Sequence, residues 1–188
     1  KYWFQRYKLF KKCDLGVRLD ETAWYSVTPE VIAIHHAIRC SNVTPVCVNS
    51  SHVMILDAFC GAGGNAIQFA VRSMHVLAFD NRIDTARQNS KVYGTEHTID
   101  FVCNDVVAAM PEISADVVFL SPPWGGPAYR EGRFNLTQLV VSHVDGLHLL
   151  NQALQITRNV AYYLPRNVEL QEVLELGIPF EVRFSFLV

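Results

Sequence analysis

Four stretches of the chain set acidic, glycine and aromatic residues where they could do chemistry. In Asp57-Ala-Phe-Cys-Gly-Ala-Gly-Gly-Asn65, the glycines at 61, 63 and 64 permit a tight turn and close approach of a ligand to the backbone. Asp80 closes an apolar run, and a carboxylate there can accept hydrogen bonds from both hydroxyls of a ribose. Asn104-Asp105 closes the next run, suitably placed to bond an adenine amino group. Ser121-Pro-Pro-Trp124 closes a fourth. The glycine spacing is G-x-G-G rather than G-x-G-x-x-G, which argues against a nicotinamide dinucleotide, and no G-x-x-x-x-G-K-[ST] loop supports triphosphate hydrolysis. Taken singly, each acidic residue is explained as a helix N-cap or a strand end. Three of them at successive strand ends, with a glycine loop after the first, point to an S-adenosylmethionine site.

Such residues need a frame, and the apolar pattern supplies one. Strands are expected at 53–57, 75–80, 99–103, 116–120, 159–164 and 180–188. Helices are expected at 65–72, 84–93, within 136–157 and at 168–176. Ahead of these, Thr28 is expected as the N-cap of a helix running to Cys40, with Pro29 at its first position. Strands that are apolar on both faces and alternate with helices call for a largely parallel sheet covered on both sides. The expected fold is therefore α/β, doubly wound and Rossmann-like, of the class I S-adenosylmethionine-dependent methyltransferase type, with a small helical N-terminal extension. The extension would occupy 1–50 and the methyltransferase core 51–188. The final strand reaches the last residue, so a further edge strand would have to come from sequence beyond it.

At 188 residues one domain is expected, and no apolar run approaches the roughly 18 residues of a membrane span. The first residue is not methionine, which suggests a piece of something longer, and nothing reads as a signal peptide. Five cysteines without a C-x-x-C pair fit neither a disulfide framework nor a zinc ribbon, which favours a reducing compartment. The seven histidines show no ligand pattern, and no metal is expected. Five cations and no acidic residue fall in the first twelve positions, interleaved with Tyr2, Trp3, Phe4, Tyr7 and Phe10, leaving 11 basic against 18 acidic residues elsewhere. This composition suits phosphates and stacked bases. It equally suits an amphipathic helix packing its rings on the body with a solvated basic face.

The Ser121-Pro-Pro-Trp124 stretch resembles the [Asp/Asn/Ser]-Pro-Pro-[aromatic] pattern of enzymes that methylate planar amino nitrogens. The lone pair of such an amine is delocalised, so the nitrogen must be held by acceptors, here the Ser121 hydroxyl and the Pro122 carbonyl, while the aromatic ring fixes its plane. Over most of the chain, "KYWFQRYKLF", "WYSVTPE", "DAFCGAGGN", "FLSPPWGGPAY" and "YYLPRN" occur in the order found in the trimethylguanosine synthases. That resemblance implies methyl transfer from S-adenosylmethionine to the exocyclic N2 amine of a 7-methylguanosine RNA cap, with S-adenosylhomocysteine as product and no metal.

Carried over by position, the resemblance places Phe10, Thr28, Asp57, Phe59, Gly61, Gly63, Asn65, Asp80, Asn81 and Asp105 around the methyl donor. It makes Ser121, Pro122 and Trp124 catalytic, and gives substrate contacts to Lys1, Asn89, Ser121, Trp124, Tyr129 and Arg166. Lys1, Tyr129 and Arg166 would hold the cap phosphates, while Arg130 and Arg133 either extend that phosphate track or form a solvated loop, the second being favoured. Residues 130–150 match the family weakly and contain the loop that would border the RNA. The implied partners are small nuclear or nucleolar RNAs and, through regions outside this chain, their ribonucleoproteins. A monomer is expected in the nucleus, its nucleolus or related bodies, or the cytoplasm, with no membrane contact. Two alternatives stand beside this: a methyltransferase for a base inside an RNA chain, and a non-catalytic cap-binding module.

Overall fold

In the computed structural model, which describes residues 2–42, 53–126 and 132–185, five short apolar runs form one parallel sheet. In chain order the strands are β1 (Met54–Asp57), β2 (His75–Asp80), β3 (Ile99–Cys103) and β4 (Val117–Leu120). A small antiparallel hairpin, β5 (Val140–Val141) with β6 (Val144–Asp145), precedes β7 (Val160–Tyr162). The sheet order is β3-β2-β1-β4-β7 and every neighbour is parallel. The chain leaves β1 toward one edge and returns at β4 to build the other, so the winding reverses between β1 and β4. A crevice opens at the carboxyl ends of strands at such a switch point. Asp57 pairs in register with Phe119, so the two strands end side by side there.

Alternation along the strands sorts the core into two faces. Ile55, Val76, Ala78, Val117 and Phe119 pack under α3 (Glu30–Ser41), α4 (Gly64–Val71) and α5 (Asp84–Tyr93). Leu56, Phe79, Val118 and Leu120 pack under α6 (Val106–Ala109) and α7 (Gly146–Ile156). Both faces are thus apolar, as a parallel sheet between helices requires.

The basic N-terminal segment has a buried side and an exposed side. A 3-10 turn (Tyr2–Gln5) leads into α1 (Arg6–Leu9), and α2 (Ala23–Ser26) follows. Phe10 is 2% exposed and meets Tyr93 of α5 edge-on, with ring centroids 6.0 Å apart. Burying that ring contributes about 1.5–3 kcal/mol. The buried carboxylate of Glu30 accepts from the Lys11 amide at 2.7 Å and from the Tyr93 hydroxyl, tying the segment to α3 and α5 together.

Three expectations are corrected. Thr28 does not cap α3: the helix starts at Glu30, with the Pro29 carbonyl accepting from Ile32 and Ala33, and the Thr28 hydroxyl is used elsewhere. The helix expected at 168–176 shortens to α8 (Gln171–Leu174), because the Glu169 amide donates to the Phe134 carbonyl and Val168 bridges to Phe134 instead of joining a helical turn. The last strand does not form over 180–185. Its alternating Phe180, Val182 and Phe184 stay exposed, since a strand needs a ladder partner and none is present among the described residues. Residues 186–188 of that strand lie outside them.

Candidate active site

The loop after β1 is folded onto the strand ends by backbone hydrogen bonds from Ala58 to Phe119 and from Cys60 to Phe79. Gly63 sits at the N-cap of α4, and Gly64 opens that helix against the chain before α3. A side chain at Gly64 would lie 2.9 Å from Val27 Cγ2 and 3.3 Å from the Thr28 carbonyl, so only glycine allows the two segments to meet.

Asp57 is the most unusual group at this crevice. It is 0% exposed, and neither carboxylate oxygen has a partner of normal hydrogen-bond geometry. Burial pushes its pKa up to about 7; the nearby Phe59 and Ala66 amides pull it back part of the way, and the Asp80 charge adds to the rise. A buried acceptor without a donor is costly unless a ligand completes it. The ammonium of S-adenosylmethionine would supply such a donor and its sulfonium a compensating positive charge, so the residues present fit the cofactor.

The other strand-end carboxylates are anchored by their own backbones. Asp80 accepts from the Gly61 amide at 2.9 Å and the Arg82 amide at 3.0 Å, which pins the glycine loop to the end of β2. Each oxygen keeps a second lone pair for a ribose hydroxyl. Asp105 caps α6 through one oxygen, which accepts from Val107, and the Asn104 side chain turns back to the Asp105 amide. Asn81 is exposed, and its carbonyl accepts from the Cys103 thiol. Phe59 is half-buried between the α6–α7 core and the hairpin cluster.

Across the switch point, the Ser121 hydroxyl donates to the Phe59 carbonyl at 3.3 Å. Its proton is thereby spent, and the oxygen is left to act as an acceptor. Pro122 is buried. The Trp124 indole is half-buried, donates from Nε1 to the Tyr163 carbonyl at 3.2 Å and packs on the Tyr163 ring at 5.2 Å. Gly125 and Gly126 both adopt positive φ, with open space where a side chain would stand. Arg166 is exposed three residues beyond Tyr163, on the loop that leaves the carboxyl end of β7 beside β4. Lys1 and Tyr129 lie outside the described residues.

Two asparagines expected to touch ligands are occupied by the protein. Asn89 is fully buried: its Oδ1 accepts from the Arg18 amide, and its Nδ2 donates to the Arg18 and Ala62 carbonyls, at 2.7, 2.9 and 2.9 Å. It mimics a strand edge for the N-terminal segment and clamps it to the glycine loop; its polar atoms are not available to a cap. Asn65 donates to the Thr28 hydroxyl at 2.9 Å and its Oδ1 faces His36 Nδ1 at 3.0 Å. With Nδ2 committed as donor, Oδ1 must accept, so His36 carries its proton on Nδ1.

His36 and Tyr163 were not expected at the site. The His36 ring contacts Tyr163 at 4.7 Å and Phe119 at 5.1 Å, and burial lowers its pKa, so it is neutral near pH 7. Thr28, Asn65, His36, Tyr163 and Trp124 thus form one continuous chain of contacts between the cofactor side and the indole. The signal was present in α3, where Ile32, Ala33, Ala37 and Cys40 define a buried stripe that passes through position 36. Asn65→Ala would leave the Thr28 hydroxyl and the His36 N–H short of partners. A loss of about 1–3 kcal/mol in denaturant unfolding is expected; unchanged stability would remove Asn65 from this role.

Among the described residues no group of three or more His, Cys, Asp or Glu is placed to hold a metal ion. A family model described as RNA cap guanine-N2 methyltransferase matches residues 52–184. The chain is 37% identical over 201 aligned positions to "Trimethylguanosine synthase" of Schizosaccharomyces pombe, covering 99% of this chain and 80% of that protein. It is 35% identical over 186 positions to the protein of the same name from Saccharomyces cerevisiae, covering 92% of this chain and 56% of the relative. Among solved structures, a putative methyltransferase from Porphyromonas gingivalis aligns with a TM-score of 0.65 at 13% identity, over 93% of this chain and 41% of that one. An S-adenosylmethionine-dependent methyltransferase from Agrobacterium tumefaciens aligns at 0.59 and 18% identity, over 85% and 53%. These two support the fold.

Proposed function

The chain belongs to the RNA cap guanine-N2 methyltransferase family, and we propose that it methylates the N2 amine of a 7-methylguanosine cap, once or twice in succession, to give 2,7-dimethyl- and 2,2,7-trimethylguanosine. It is an S-adenosylmethionine-dependent methyltransferase. The observation that carries the reading is the pairing of a committed acceptor, Ser121 Oγ, with an indole held on Tyr163 at the switch-point crevice.

S-adenosylmethionine supplies an electrophilic methyl group on a sulfonium. Asp57 would compensate its positive charge, Asp80 would take the ribose hydroxyls, and the amide-pinned glycine loop would present backbone to it. The Trp124 face fixes the plane of the purine. For the first transfer the Ser121 oxygen and the Pro122 carbonyl would accept from the two N–H groups of the amine, raising electron density on nitrogen and orienting its lone pair; for a second, one of them would accept from the single N–H that remains, and each displaced proton would leave to water. A 7-methylated guanine is a cation, and a cation over a tryptophan face gains ~0.5–2 kcal/mol. That is the reason to expect the 7-methyl group as a prerequisite.

Arg166 is assigned to the cap phosphates. Small nuclear and nucleolar RNAs are the proposed substrates, in the nucleus or cytoplasm, with ribonucleoprotein contacts made outside these residues. Methyl-labelled S-adenosylmethionine should label a 7-methylguanosine-capped oligonucleotide at N2, and mass analysis should resolve one or two added methyls. Equal labelling of an unmethylated cap, or of uncapped RNA, would overturn the reading.

A further inference from the structure

We propose that the exposed face of the N-terminal segment is a stacking platform for the single-stranded RNA that follows the cap, which extends the substrate reading above and rests on it. The segment buries Leu9 and Phe10 but leaves Trp3 58% and Phe4 86% exposed, with Tyr7 and Tyr25 about half exposed. A contiguous patch of exposed aromatic rings, unlike a single exposed apolar residue, marks an interaction surface.

The rings are held in place before any ligand arrives. The Arg6 guanidinium lies 4.6 Å from the Trp3 ring and 4.2 Å from the Tyr7 ring, and it is itself fixed by the Trp3 carbonyl and Asp14. Trp3 also meets Trp24 at 6.0 Å. Phe4, Tyr7 and Lys8 stand at helical spacing, so an aromatic pair and a cation share one side of the turn. Lys8 and Lys11 are exposed, Lys12 reaches to the Val92 carbonyl and the Tyr93 ring, and no acidic residue occurs before Asp14, whose carboxylate accepts from Arg6 and Tyr7. Aromatic faces beside a row of cations are the composition that tracks a single strand, with rings taking bases and lysines taking phosphates. A protein partner would fit exposed rings alone, but the cations favour a polyanion.

The platform and the crevice are anchored on one core cluster. Trp24, on which Trp3 rests, packs on the same core cluster as Val27 and Tyr163. Val27 flanks the glycine loop at Gly64, and Tyr163 carries the Trp124 indole. That shared packing is the basis for running RNA from the cap along the N-terminal segment.

The test compares methylation of a 7-methylguanosine cap dinucleotide with that of a capped decamer, in wild type, Phe4→Ala and Trp3→Leu. The leucine keeps apolar packing on Trp24 while removing the stacking face. Wild type should show a KM about tenfold lower for the decamer, and both variants should lose most of that gain while their turnover of the dinucleotide is unchanged. The proposal is overturned if wild type does not distinguish the two lengths. It is equally overturned if the variants keep the gain, as a protein-docking surface would, or weaken both substrates alike. If wild type methylates no cap at all, the activity reading fails on its own. Anisotropy of an uncapped fluorescent decamer then decides the platform, with binding by wild type and loss in both variants supporting it and no binding by wild type overturning it.

Discussion

Trp124→Ala is expected to weaken cap binding by about 1–3 kcal/mol, roughly 5- to 150-fold in Kd, with the methyl donor bound as before. The indole is presented at little entropic cost, because the Nε1 bond to the Tyr163 carbonyl and the Tyr163 ring already fix its plane. Binding then gains base stacking and the cation attraction without first ordering the side chain. Trp124→Phe keeps a ring but loses the Nε1 tether, so it should fall between alanine and wild type. The preference for 7-methylguanine over guanine should shrink in both variants, since the indole is the strongest partner for a cation. Asp80→Ala is the contrasting control: it removes the ribose acceptor and frees the Gly61 amide, so it should weaken the donor and spare the cap. Titration of cap analogue and S-adenosylmethionine against each variant separates the two roles. Cap affinity unchanged in Trp124→Ala would refute the stacking assignment.

Strand ends were legible in the sequence because both strand and ligand site are local patterns. An apolar run that stops at Asp57, Asp80 or Ser121 announces both the end of a strand and a polar group at the sheet's carboxyl edge. The parallel, doubly wound sheet was also legible, since apolar runs alternating with helices call for strands covered on both faces. What escaped was the allocation of side-chain atoms among partners distant in sequence. Asn89 reads as a polar residue on a helix near the loop, yet Arg18, 71 residues earlier, takes both its oxygen and its nitrogen. Asn65 likewise belongs to Thr28 and His36. The alternating run at 180–185 failed for a related reason, because its pattern is satisfied only by a neighbour that the run itself does not encode. Residue type at a strand end is thus readable, whereas whether its atoms remain free for a ligand depends on tertiary pairing.

Asp57 leads to the second large effect, a stability that runs against the usual pH trend. Its folded pKa is raised from the ordinary 3.8 to about 7 by burial, so between those values the native state holds a proton that the unfolded chain has released. Stability therefore falls as pH rises through that window, and the full cost, about 4 kcal/mol for a shift of some three units, is present above pH 7. Roughly 2 kcal/mol of it should appear between pH 5.5 and 8, or about 4–8 °C in the Tm of the ligand-free protein. His36 acts in the opposite sense: its lowered pKa makes acid below its ordinary 6.5 destabilising. The comparison with Asp57→Asn isolates the carboxylate. That variant should be the more stable protein at pH 8, with the difference vanishing toward pH 4, and it should bind S-adenosylmethionine roughly ten- to hundredfold more weakly for want of the charged acceptor. Saturating cofactor should remove most of the alkaline loss in wild type and little in the variant, because the bound cation stabilises the ionised form. Parallel pH profiles of Tm for wild type and Asp57→Asn would show that this carboxylate is not buried at a cost, and equal affinity of the two for S-adenosylmethionine would show that it is not kept for the donor. Diverging profiles that saturating cofactor brings together would mean that the fold holds a destabilising charge at the switch point that the methyl donor relieves.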